Sequence, residues 1–151
     1  KVGAALGRDN HGDIHSIAGL VNEAYEEACE VVAFTRDVDA DRARADAIAR
    51  GVAFAQTTFP SVAIIGGPAI PAIEGWILAL VAVRDTEDMS RERANRELDA
   101  LDLGGKHAET YVAVIEQANL GALPPGSDAL GEWIRRARVV FGAALRGTAS
   151  S

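Results

Sequence analysis

Two short apolar runs without a break, Val31-Val32-Ala33-Phe34 and Val62-Ala63-Ile64-Ile65, set the first limit on what this chain can fold into. A run of four apolar residues bounded by turn chemistry is too short for a helix. It also lacks the polar alternation of a strand with one wet face. It suits a strand covered on both faces, and such strands belong to parallel sheets. The run over 30–35 is therefore read as one strand and "SVAIIG" as another, with "KVGAAL" at the start as a third.

Helical periodicity fills the intervals. Ile14, Ile17, Ala18, Val21, Ala24, Tyr25 and Ala28 recur at helical spacing after Asp13, which can cap them. A second helix follows the acids at 37–41 and is expected to stop at Gly51. Gly66-Gly67-Pro68 reads as a turn, after which "PAIEGWILALVAV" is a helix apolar nearly all round. Ser90 can cap a charged helix, "RERANRELDAL". "KHAETYVAVIEQANL" is a further helix, with Ala108, Tyr111, Val112, Ile115 and Ala118 on one face. After Pro124-Pro125-Gly126, Ser127 can cap a last helix with Leu130, Ile134, Ala137 and Phe141 as its stripe. The pattern predicts an α/β fold: a mostly parallel sheet with helices on both faces and a helical C-terminal part. It predicts one domain over 1–151, divided into an α/β core at 1–83, a helical part at 84–146 and a frayed tail at 147–151.

Composition narrows the function classes. The net charge of -7 argues against adhesion to nucleic acid through overall charge. Metal ions or a local Arg patch would be needed to hold such a substrate. The single cysteine, Cys29, cannot form an internal disulfide and is expected to be a small buried residue, which suits a reducing, cytoplasmic compartment. The apolar stretch 62–83 is broken by Gly66, Gly67, Pro68, Pro71 and Glu74, so no membrane span is expected.

Two features carry chemistry. In "VVAFTRDVDADRAR" the acids Asp37, Asp39 and Asp41 crowd the carboxyl end of a predicted strand, where ligands of parallel sheets bind. Like charges so close repel one another unless they face water or hold a cation. Carboxylates without Cys favour a hard ion, Mg²⁺ or Mn²⁺, over zinc. An EF-hand is excluded, because Arg42 and Ile48 stand where that loop needs Gly and Glu. Glu74 is the second feature, the one charge between Pro60 and Arg84. It is either a dipole-favoured helix acid near solvent or a second carboxylate of the same site. Trp76 reads as core. His11 and His15, with Asp9 and Asp13, would make a zinc pair only if His11 were helical; Gly12 favours a loop and cap. Arg135, Arg136 and Arg138 form a stripe read as a solvated face, with partner docking as the alternative.

Three stretches together resemble the TOPRIM superfamily, the Rossmann-like metal-dependent fold of topoisomerases, primases and nucleases, and within it the small TOPRIM-like proteins of bacterial defence operons, relatives of the overcoming-lysogenization-defect nucleases. "VVAFTRDVDADRAR" looks like the family's strand and D-x-D, "PAIPAIEGWILAL" like its Glu-x-Trp-Leu-Leu segment, and "LGGKHAE" like its later Pro-Lys region with Gly105 in place of Pro. The resemblance implies an Mg²⁺- or Mn²⁺-dependent phosphodiester hydrolase or nicking enzyme. Asp37, Asp39, Asp41 and Glu74 would hold metal, Glu74 and Lys106 would be catalytic, and Arg42 and Arg44 would guide a nucleic-acid backbone. The family's first motif, a strand ending in Glu-Gly-x-x-Asp, does not occur here. Such a motif upstream of Lys1 would favour the enzyme. A native start at Lys1 would favour a non-catalytic interaction subunit acting through a protein partner. A haloacid-dehalogenase-type phosphatase also places D-x-D after a strand, but the later Asp pair it needs is missing. Oligomeric state is not encoded in any motif of the chain.

Overall fold

A computed structural model describes residues 11–39, 41–105 and 108–148. The segment "KVGAAL" and Lys106 lie outside the described residues. In chain order the elements are α1 (His11–Glu26), β1 (Val31–Asp37), α2 (Arg42–Thr58), β2 (Ala63–Ala69), α3 (Ile73–Leu80), a 3₁₀ turn at Thr86–Asp88, α4 (Arg91–Ala100), α5 (Ala108–Gln117) and α6 (Asp128–Thr148). Among the described residues β1 and β2 are parallel neighbours in a two-stranded sheet. The α/β class, the parallel pairing and the helical C-terminal part are as the sequence predicts.

The chain forms two compact units that interleave in sequence. Among the described residues the first comprises 11–35, 41–68 and 136–148; the second comprises 36–39, 69–105 and 108–135.

In the first unit α1 packs on α2. Ile14, Ile17 and Val21 of α1 are buried, as are Ala47, Ile48 and Ala55 of α2. Gly51, expected to end α2, lies inside it and is itself buried. A Cβ at this position would come within 2.9 Å of Ile17 Cδ1 and 3.3 Å of Ile14 Cα. The glycine is there for close helix approach, and burial of that contact outweighs its poor helix propensity. The expected turn at Gly66-Gly67-Pro68 is also strand. β2 runs through it to Ala69, and the Phe34 ring of β1 covers Gly66, where a side chain would clash with it. Gly12, likewise, is inside α1 rather than in a loop. Cys29 is exposed rather than buried, because it follows the turn at Ala28, whose φ is 57°, outside both helix and strand.

The second unit has two apolar clusters. Ala69, Trp76, Ala79, Leu130 and Ile134 form one, with Trp133 edge-on to Trp76 at 6.1 Å between ring centroids. Ile77, Leu78, Met89, Ala94 and Leu98 form the other, on which Tyr111 and Val114 of α5 pack. Val112 and Ile115 of α5 are exposed, so the packed stripe of this helix is not the one its sequence suggested. Helix α3 buries six of its eight residues, Glu74 to Ala79.

Candidate functional site

The site is built at the carboxyl end of β1, within the second unit. Main-chain bonds fix its floor. The amide of Val38 donates to the carbonyls of Ala69 and Pro71, and that of Asp39 donates to Pro71 O at 2.6 Å. Asp39 has φ 55°, so the chain turns sharply there in the left-handed region. Ala72, the N-cap of α3, has no side chain to cap with. Asp37 supplies the missing acceptor: its Oδ1 accepts from Ile73 N at 3.0 Å. One strand-end carboxylate thus caps the helix that carries Glu74, which brings together acids 37 residues apart in the chain.

Glu74 lies in the first turn of α3 and is 1% exposed, so it is not an acid near solvent. Arg91, the first residue of α4, extends its guanidinium into the set. Its Nη1 meets Asp39 Oδ1 at 2.7 Å, a charge-assisted hydrogen bond. Its Nη2 lies 3.6 Å from Asp37 Oδ2 and 3.9 Å from Glu74 Oε1. Three carboxylates from two segments therefore share one cation. Their field, that of Glu74 above all, raises the Arg91 pKa further, so this guanidinium stays charged. Burial and the negative field of Glu74 and Asp99 likewise push the Tyr111 hydroxyl up.

Sequence reasoning found the three acids and missed Arg91. The only signal for it was a cation at a helix start, where the helix dipole disfavours one. "SRERANRE" contains three arginines, and nothing in their spacing singles out the first.

The remaining predicted residues are placed elsewhere. Asp41 is the N-cap of α2 and accepts from Ala43 N at 3.0 Å. Arg44 is held by Asp13 of α1 through its Nε at 2.8 Å. Arg42 is exposed at the start of α2. Trp76 is core, 5% exposed. His11 is helical, but Asp13 is taken up by Arg44 and Asp9 lies outside the described residues. In the arginine stripe, Arg135 forms a two-pronged pair with Glu132 at 2.7 and 2.8 Å, and Arg136 donates to Gly66 O at 3.0 Å. A groove of about 450 Å³ between α3 and α5 is lined by residues such as Leu80, Val81 and Val114 and carries no titratable group.

Among the described residues no group of three or more His, Cys, Asp or Glu is gathered as the ligands of one ion. Asp37, Asp39 and Glu74 are gathered instead around the Arg91 guanidinium. No helix among the described residues is long and apolar enough to cross a membrane. No protein-family model, no curated protein and no solved structure matches the chain.

Proposed function

We propose that the chain is a TOPRIM-like, divalent-metal-dependent phosphodiester hydrolase or nicking enzyme acting on nucleic acid, with Asp37, Asp39 and Glu74 as the metal-holding carboxylates. One observation carries this reading: the acids of two separate motifs converge on a single cation at the carboxyl end of a parallel strand. A resemblance resting on those motifs requires that convergence, and local sequence alone does not produce it.

Asp37 and Asp39 would hold Mg²⁺ or Mn²⁺ from the strand end, and Glu74 would hold it from α3. When bound, such an ion would supply an activated water and a counter-charge for the negative charge on the phosphoryl oxygens. Asp37 also keeps α3 in register through Ile73 N, so the same residue positions Glu74. The apolar surround of Glu74 keeps bulk water from screening it. Asp41 is reassigned from ligand to helix cap, and Arg44 from backbone guide to the partner of Asp13. Lys106 keeps the role the resemblance gives it, a phosphate contact.

The test is supercoiled plasmid incubated with the full chain and Mn²⁺. The expected result is conversion to open circles, abolished by chelation and in Asp39→Asn. A second measurement does not depend on choosing the right substrate. An ion binding only the folded chain adds about 2.7 kcal/mol at a hundredfold excess over Kd. Mn²⁺ should therefore raise the melting temperature more than NaCl of equal ionic strength. Equal shifts would end the metal reading.

The alternative is a non-catalytic interaction subunit in which Arg91 has permanently taken the place of the ion. The 2.7 Å bond to Asp39 is what favours it. On that reading Mn²⁺ has no effect beyond screening.

A further inference from the structure

We infer that the outer face of α5 and the C-terminal half of α6 are the two sides of one contact, made between copies of this chain.

Charge is divided sharply along the last third of the sequence. Ala108 to Ile134 contains the acids Glu109, Glu116, Asp128 and Glu132 and no Lys, Arg or His. Arg135 to Ser151 contains Arg135, Arg136, Arg138 and Arg146 and no acid. Both blocks fall on helices that leave apolar surface uncovered. In α5, Tyr111 and Val114 pack inward, while Val112 and Ile115 are 52% and 47% exposed. At about 3.6 residues per turn, Glu109 and Glu116 stand beside Val112 on that outer face. Both are exposed, and neither has an ionic partner among the described residues. In α6, Val139 is 59% exposed. Arg138 precedes it and Arg135 lies one turn back, both exposed.

Each face thus has an apolar centre and a charged border, and the borders are of opposite sign. Such borders choose the partner, while the apolar centre supplies the area that is buried. Two α5 faces would set acid against acid, and two α6 faces arginine against arginine. The matched pairing is α5 of one copy with α6 of another. A second copy brings that complement at the same concentration as the face it fits. An anionic lipid surface or a nucleic acid would match α6 alone and would meet a chain of net charge -7. Because the two faces differ, two copies satisfy both reciprocally as a two-fold dimer, or continue head to tail. Faces this small associate weakly, so assembly is expected at about 10–500 µM rather than at nanomolar concentration.

Sedimentation velocity of the full chain over that range reads the weight-average mass. The expected result is a mass that rises with concentration, by closing at a dimer or by continued growth. Association should be about fivefold weaker or more in about 0.5 M NaCl than in about 0.05 M. Charge reversal gives the decisive comparison. Each Glu→Arg change adds two charges, so Glu109→Arg, Glu116→Arg stands at -3 rather than -7. Overall charge alone would make this variant associate more readily, whereas loss of the facing acids should make it monomeric. Arg135→Glu, Arg138→Glu, at -11 by the same count, should be monomeric too. An equimolar mixture of the two variants should associate again, although both carry the same sign of net charge, because each now presents what the other lost. Melting curves check that each variant is folded. Val112→Ser, Ile115→Ser leaves the charge unchanged and carries the comparison if a reversal variant does not fold; it should also weaken association. A wild type that stays monomeric throughout, association that strengthens with salt, or reversal variants that associate like wild type would each overturn the contact.

Discussion

At the scale of the residue, the cluster is governed by Glu74. A carboxylate 1% exposed is tolerated only with a positive partner, and Arg91 lies 3.9 Å away. Removing one partner of a buried pair costs more than the pair itself contributes, because the other charge is stranded. Arg91→Ala should lose about 1–3 kcal/mol, less than for a fully buried pair because Arg91 is partly in water. Glu74→Gln removes the stranded charge, so it should cost less. The Arg91→Ala, Glu74→Gln double variant should be more stable than Arg91→Ala alone. Urea denaturation of the four chains checks the ordering; additive losses would mean the two residues do not interact. Asp37→Asn and Asp39→Asn should not stabilise the metal-free chain by relieving repulsion, since Arg91 already relieves it.

At the scale of the element, helix ends and helix contacts are met by residues distant in sequence. Helix α6 was expected to take its cap bond from Ser127. Instead Ser127 Oγ donates to Pro124 O, and Glu87 Oε1 accepts from Ala129 N at 2.6 Å. Burial pushes the Glu87 carboxyl above its ordinary value near 4.5, helped by Asp128 and Asp88 and opposed by the Ala129 bond. The folded chain therefore binds this proton more tightly than the unfolded chain. Stability contributed by protonated Glu87 is fully present below about 4.5 and is lost as pH rises through the raised native value. Glu87→Gln keeps the acceptor without the charge, so it should match or exceed wild type at pH 7. That difference should close as pH falls below about 4.5. Glu87→Ala, which loses the acceptor, should cost about 1 kcal/mol at either pH. Melting curves at both pH values separate the two variants, and a Gln variant less stable than wild type at pH 7 would refute the sign.

Gly51 sets the distance between α1 and α2. In an open helix Gly51→Ala would gain about 1 kcal/mol. Here the new methyl meets Ile17 Cδ1 at 2.9 Å, which can move, and Ile14 Cα at 3.3 Å, which is backbone of a packed helix. The overpacking cost of about 1–3 kcal/mol should win. Chemical denaturation should show Gly51→Ala net destabilised by about 1 kcal/mol, with part recovered by adding Ile17→Val. A net gain would mean the two helices are free to separate.

At the scale of the whole molecule, charge acts as a sum. With a net charge of -7 the folded chain repels itself, and salt screens that repulsion. Raising NaCl from about 0.02 M to about 0.3 M should lift the melting temperature by about 2–4 °C, roughly 1 kcal/mol for a chain of this size. Screening also weakens the Arg91 pairs, which works in the opposite direction. The Arg91→Ala variant, more acidic by one charge and without those pairs, should therefore show the larger salt response. A melting temperature that falls with salt in the wild type would mean local ion pairs outweigh the net charge.

What the sequence determined by itself was what depends on neighbours along the chain. Two unbroken apolar runs marked β1 and β2, which pair in parallel, although β1 is less covered than such a run implies, with Ala33 exposed. Helical periodicity fixed α1, and Ser90, accepting from Arg93 N, fixed the start of α4. The crowding of acids at 37–41 required a positive partner or water, and the end of β1 gave the place. Only the tertiary structure decided the identity of that partner. Arg91 is 52 residues from Asp39 and carries no local mark, because an ion pair is selected by distance in space and the chain records only distance along itself. Two of the three misread glycines have the same origin. Local chemistry made Gly51 a stop, Gly66 a turn and Gly12 a loop. Close packing overrode the first two, because the absence of a side chain lets a neighbouring helix or ring approach, and burying that contact outweighs the backbone's preference.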